Sequence, residues 1–238
     1  MFALGIVIPS AFLVHIPLSY SATIVDADIT QDALWTKEQS PYIITRDLNV
    51  ASGAVLTIDP GVIVKIQKNT STEGSIRNIF IWGSLVTKGT SAEKIYFTDS
   101  ADDSLGGDTN NDGTSTVPIL NTFGNWAFHL MPQPTPITFH NIEIRYANIF
   151  DFIGLNVSIS DVMVTHSWRG IAVKSFNHKG GSVEMSDTTF DHLIGTAFSI
   201  TEGNATVNNT TIDTVSEAHG IGVFDSSIQI SDSSITNI

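Results

Sequence analysis

Five segments align without a gap and decide the fold: ITFHNIEIRY (137–146), VSISDVMVTH (157–166), VEMSDTTFDH (183–192), ATVNNTTIDT (205–214) and IQISDSSITN (228–237). Their starts are 20, 26, 22 and 23 residues apart, a period that marks stacked repeats rather than separate domains. The first position holds Ile137, Val157, Val183, Ala205 and Ile228; the third holds Phe139, Ile159, Met185, Val207 and Ile230. Alternate residues of a strand share a face, so these two positions point inward together. The eighth position, Ile144, Val164, Phe190, Ile212 and Ile235, is apolar too, although it is out of phase with the first and third. The chain therefore changes direction between them. The fifth position, Asn141, Asp161, Asp187, Asn209 and Asp232, supplies the corner, because Asn and Asp tolerate the left-handed backbone and bond to their own chain.

A glycine-led apolar run follows each of the first four segments: Gly154-Leu155, Gly170-Ile171, Gly195-Thr196 and Gly220-Ile221. This is the third strand of a coil. Coils stacked at about 4.8 Å bring like residues into ladders. The longest spacing carries an extra Asn177–Gly181 segment, expected to bulge at a corner. Nearer the N-terminus the same alternation recurs in Tyr42–Thr45, Val55–Ile58, Val62–Ile66 and Ile79–Trp82, with glycines between. Helical periodicity is missing after residue 40. The expected fold is all-β: a right-handed parallel β-helix with three strands per coil over 41–238, preceded by a linker or cap over 22–40. The last segment is still a regular repeat with three inward isoleucines, so the parent chain is expected to be truncated here and to continue with more coils or an anchoring domain.

The stretch SPYIITRDLNVASGAVLTIDPGVIVKIQ (40–67) resembles the opening coils of bacterial and archaeal right-handed β-helix repeat proteins, the pectin-lyase-like superfold. So do Gly83-Ser84-Leu85, Gly89-Thr90, Ile95–Thr98, and the insertion Asp102–Gly113 ahead of Gly124-Asn125-Trp126. The resemblance spans roughly 35–238. It implies a secreted or surface protein and leaves function open, because the scaffold carries lyases, hydrolases, adhesins and inert stalks.

Net charge is −13, with 15% charged residues and no cysteine. Phosphate backbones would be repelled, so nucleic acid is not an expected partner. Disulfides and thiolate metal sites are excluded. Residues 2–18 form an uncharged apolar run, and Ser19 and Ser21 precede a cleavage point before Ala22; 1–21 is expected to be a signal peptide, the chain's one link to a membrane.

Chemistry is expected first in the acidic insertion. Asp108, Asn110 and Asp112 alternate along a loop, with Gly113 at a turn and Thr114 placed to ligate through its carbonyl. That is the beginning of an EF-hand-like Ca²⁺ loop. The bidentate Glu is missing, since Ile119 stands at the twelfth position; Asp102 or Asp103 is expected to supply the extra carboxylate. A second candidate comes from ladder positions nine and ten, where Asp191 and Asp213 stack with His166 and His192 beside them. Close carboxylates can serve as acid and base. The paired-Asp and His-Gly signature of pectinolytic hydrolases and the Arg–Asp ladder of the lyases are absent. Trp82 and Trp126 sit in strand contexts and are expected in the core or a cap, and Trp168 is the better surface candidate. The expected function is an exported structural, adhesive or carbohydrate-binding module facing a polysaccharide or cell-surface ligand. The alternative is a polysaccharide lyase or glycoside hydrolase working on an outer face.

Overall fold

The computed structural model describes residues 22–69, 75–119, 125–133, 137–217 and 219–238; the expected leader lies outside them. Among the described residues every pairing between named strands is parallel, and the chain stacks as a β-helix of about nine turns. One sheet has seven strands: Leu48–Val50, Arg77–Ile81, Trp126–Leu130, Ala147–Ile153, Ile171–Lys174, Phe198–Thr201 and Ile221–Phe224. A twelve-stranded sheet runs from Thr23–Val25 through Tyr42–Ile44, Ile63–Ile66 and Ile95–Asp99 to Ile137–Arg145 and Val157–Ser167. Beyond Val157–Ser167 it continues as two columns of short strands, one starting at Ser182–Ser186 and the other at Thr189–Leu193. A three-stranded sheet, Ala33–Trp35, Val55–Ile58 and Ser84–Thr87, completes the early coils. Residues 22–40 thus take part in pairing: Thr23 aligns with Tyr42 and Ala33 with Leu56, so they build the terminal coil. Among the described residues no helix is long and apolar enough to cross a membrane.

The repeat register is the one the five segments dictate. Ile137 aligns with Val157, Val157 with Val183, Val183 with Ala205, and Ala205 with Ile228. Positions one, three and eight are buried in the first four segments. In the fifth, Ile230 and Ile235 are exposed. All five fifth-position residues have positive φ, between 45° and 53°.

A second left-handed corner occupies position ten: Tyr146, His166, His192, Thr214 and Asn237. For residues other than Gly, Asn or Asp this backbone costs about 1–2 kcal/mol, and stacked coils offset it. A Ser or Thr after the corner residue often closes the turn. The hydroxyls of Thr188, Thr210, Ser233, Ser167 and Ser226 donate to the carbonyl two residues back, across left-handed Asp187, Asn209, Asp232, His166 and Asp225. Local side-chain bonds of this kind satisfy backbone groups that a sharp corner takes out of the ladder. The Asn177–Gly181 insertion bulges as a tight hairpin: Phe176 and Lys179 exchange backbone hydrogen bonds around left-handed Asn177 and His178.

The interior is one continuous apolar column. At mid-height it is aromatic. Phe150 stacks on Phe128 with centroids 4.4 Å apart and touches Phe97, Trp126, Phe139 and Phe152. Gly170 marks how closely the coils approach: a Cβ there would lie 1.9 Å from the Ala197 carbonyl oxygen.

Candidate functional site: an acidic loop on the solenoid wall

The insertion after Ile95–Asp99 is tied down at both its root and its middle. At the root, Asp99 accepts from the Ala101 amide (2.8 Å) and the Asn125 side chain (2.7 Å). Asp102 accepts from the Thr98 hydroxyl at 2.6 Å and the Ser104 amide at 3.2 Å, and Arg145 reaches it at 3.5 Å. In the middle, Lys65 projects outward from the sheet yet is 0% exposed, because the loop lies over it. Its Nζ donates to the Gly107 carbonyl (2.6 Å) and the Thr109 hydroxyl (3.0 Å). Desolvation lowers the Lys65 pKa, against the pull of Asp103, Asp102, Asp108 and Asp99.

Held this way, the loop brings the carboxylates of Asp103, Asp108 and Asp112 together, with ligating oxygens within 4.8 Å of one another. Ligands on opposite sides of a Ca²⁺ ion, each at about 2.3–2.6 Å, lie about 5 Å apart, so the spacing suits that ion. Asp108 closes the loop by accepting the amides of Asp112 (3.2 Å) and Gly113 (2.8 Å). One Asp112 oxygen accepts from the Asn110 amide at 2.9 Å and from the Thr116 hydroxyl. The other Asp112 oxygen, one oxygen of Asp103 and the Asn110 carbonyl oxygen are shielded from solvent without a hydrogen-bond partner among the described residues. All three are acceptors, and a buried acceptor without a partner costs about 1–3 kcal/mol. Such a set fits a hard cation. Of the two carboxylates the sequence left open, Asp103 joins the cluster, while Asp102 is buried and engaged by Thr98, Ser104 and Arg145. Thr114 is exposed beside the cluster. Desolvation, then the charge of Asp108, pushes the Asp103 carboxyl upward, with Lys65 acting in the opposite sense.

The other sequence candidates stand on the corner ladder of positions nine and ten. Asp191 and Asp213 are aligned in adjacent strands, as expected. Asp213 accepts from Asn237 (2.6 Å), Thr236 (2.9 Å) and the Thr214 amide (2.9 Å), and these bonds lower its pKa, Asn237 contributing most. Asp191 contacts its neighbour His192 at 2.7 Å. The His192 ring stacks on His166 with parallel planes and centroids 4.9 Å apart, and Tyr146 packs below. Desolvation, followed by the His192 charge, lowers the His166 pKa. These residues fill corners and bond along the ladder.

A group that the sequence did not reveal lies on the outer face of the seven-stranded sheet. Asp151, 2% exposed, receives His129 Nδ1 at 3.0 Å and Lys174 Nζ at 2.7 Å. His129 Nε2 faces the Asn78 carbonyl oxygen at 3.3 Å, and its ring stacks on Phe80 at 4.9 Å. The one available signal was a lone acid inside the apolar run Ile149-Phe150-Asp151-Phe152-Ile153, which alternation turns outward. Trp82, expected in the core or a cap, is 49% exposed: Ile81 faces inward, so its neighbour faces out. Trp126 is buried and Trp168 half-buried.

No family model matches this chain, and neither the curated proteins nor the solved structures contain a significant match.

Proposed function

We propose that this chain is an exported, non-catalytic β-helix of the right-handed pectin-lyase-like type, a surface or extracellular binding module whose acidic loop holds Ca²⁺. The observation that carries the reading is the set of unpartnered acceptors on Asp103, Asn110 and Asp112, gathered around the three-carboxylate cluster. Such an ion pins the loop to the wall rather than performing chemistry. The outer wall supports a binding role over a cleaving one. Its shallow groove is lined by Ser158, Ser186, Thr206 and Asn208, with Glu184 the one acid among its lining residues. Asp213, the residue best placed to act with Asp191, already accepts three hydrogen bonds on its Oδ1, from Asn237, Thr236 and the Thr214 amide.

Calorimetric titration with Ca²⁺ is expected to give a single binding event, and EDTA is expected to lower the melting temperature, since an ion bound only to the native state stabilises it. No heat, together with melting unchanged by EDTA, would remove the ion from this reading. On a glycan array with Ca²⁺ present, binding without release of reducing ends is expected. Release of reducing ends that is lost in Asp191→Asn would establish the hydrolase or lyase alternative instead.

The Ca²⁺ affinity should also depend on pH. A raised Asp103 carboxyl holds its proton to higher pH than an ordinary Asp, and the ion needs that carboxylate ionised. Affinity is therefore expected to fall as pH drops through the raised Asp103 value, by at most about tenfold per pH unit for one displaced proton. Titrations in two buffers of different ionisation heat should show proton release on binding. A pH-independent affinity across the acidic range would contradict the assignment of Asp103 as a ligand.

A further inference from the structure

His166 and His192 occupy the left-handed corner of successive coils, with φ of 49° and 51°. The strands that carry them pair in parallel, Thr165 aligned with Asp191 and Ser167 with Leu193, so the two rings leave the wall in the same direction, one coil apart. Their planes are parallel and their centroids 4.9 Å apart. The backbone link that follows the corner, from the Ile194 amide to the Ser167 carbonyl at 3.2 Å, keeps the coils together there.

The charged groups around this stack are shared unevenly. Asp191 contacts His192 Nδ1 at 2.7 Å. His166 Nδ1 instead pairs with the Thr165 hydroxyl at 2.8 Å, and among the described residues no carboxylate contacts that ring. On the preceding coil, Tyr146 packs against His166 with centroids 5.8 Å apart, and Arg145 is matched by Glu143 at 2.6 Å and Asp102 at 3.5 Å. On the following coil, Asp213 aligns with Asp191 but already accepts from Asn237, Thr236 and the Thr214 amide. A proton on His192 therefore meets a carboxylate directly. A proton on His166 meets desolvation, the His192 charge and Arg145, against the pull of Asp191 and Asp102.

We infer that the His166–His192 stack is an acid-sensitive latch: two rings that are not both charged hold the corner closed, and a proton on each parts the coils there. The inference is independent of the ion reading. Like charges on stacked rings repel, and the backbone ladder leaves the rings no room to separate while the corner stays paired. The direction with pH follows from His166. Desolvation, then the His192 charge, holds its pKa below the ordinary histidine value. The folded chain thus binds that proton less well than the unfolded chain does. Stability is full above the ordinary histidine range and is withdrawn as pH falls below it. The same corner carries Thr214 and Asn237 in the next coils, neither of which titrates, so the sensitivity is confined to the pair of coils that carry the histidines.

His166→Asn and His192→Asn each remove one ring and keep the corner, because Asn237 holds the same left-handed position. Chemical denaturation of the wild type and both variants at about pH 7 and about pH 5, the range in which histidine charges, measures the unfolding equilibrium constant. The pH dependence of the carboxylate loop is common to all three chains and cancels in the comparison. On acidification the wild-type constant is expected to rise more than that of His166→Asn, by up to about tenfold per pH unit for the one proton. Proton NMR of the imidazole C–H signals should show His166 titrating below free histidine, and moving towards it in His192→Asn. The hydrogen-exchange protection factor of the Ile194 amide should fall at the lower pH in the wild type and hold in His166→Asn. Equal pH slopes in wild type and His166→Asn overturn the latch. So does a His166 signal that titrates at the free histidine value, or one that His192→Asn leaves unmoved. If a variant does not fold, the wild-type imidazole titration and Ile194 protection decide alone: His166 at the free value, or protection unchanged by acid, overturns the inference.

Discussion

Phe150→Ala is expected to lower stability by about 3–5 kcal/mol, the range for emptying a buried aromatic position. Phe150 is fully buried where the two halves of the solenoid meet. Its ring lies flat on Phe128 of the preceding coil and against Phe139 and Phe152. Beside it stand Phe97 and Trp126, both upstream of the five aligned segments. Coils contact only their neighbours, so a solenoid has no other layer able to relax into such a void. The loss should appear as an earlier chemical-denaturation midpoint by far-ultraviolet circular dichroism, and Phe150→Leu should recover most of it. A loss below about 1 kcal/mol, the size of an ordinary surface change, would mean that the coils repack freely and that the aromatic column is not what joins the halves.

Asp151→Ala should cost about 2–3 kcal/mol. Removing one partner from a buried ion pair costs about 3–5 kcal/mol, and the figure here is reduced because Lys174 is half exposed. Asp151 is the single carboxylate between His129 and Lys174, which come from the coils on either side. Without it, two donors face each other on a sheet whose backbone cannot move apart. Because Asp151 itself is buried, added salt should recover little of the loss. Denaturation of Asp151→Ala with and without salt checks both points. A stable variant that had lost a measurable activity would give Asp151 a catalytic role instead of this structural one.

The repeats were legible because a coil must return its inward residues at the same phase in each turn. Positions one, three and eight, and the Asn/Asp corner, are periodic in sequence for that reason; the structure turns all five corners left-handed and buries the three apolar positions in the first four segments, as expected. The second corner was not legible. Tyr146, His166, His192 and Thr214 belong to residue types with no strong preference for the left-handed backbone, so the alignment showed them only as a polar column that included two histidines. The stacking of His166 on His192 follows from that corner, which sets the two rings on successive coils. The Asp151 group was missed for a different reason. His129 lies in a coil with no gapless counterpart among the five segments, and nothing local to the chain gives its register against Asp151.

The acidic loop divides in the same way. Alternating oxygens at Asp108, Asn110 and Asp112 were visible, since ligand spacing along a turn is a local property. The choice of Asp103 over Asp102 was not, because it depends on groups distant in sequence. Arg145, 43 residues away, and Thr98 draw Asp102 inward, and Lys65, 42 residues before Gly107, pins the loop that carries the others. The sequence by itself determined the all-β coil, its period and its left-handed Asn/Asp corners, because these rest on side-chain alternation and backbone preference within one repeat. Only the tertiary structure decided which polar groups meet, since stacking sets residues twenty to fifty positions apart side by side, at a register that insertions such as the loop after Asp99 shift without trace in any local pattern.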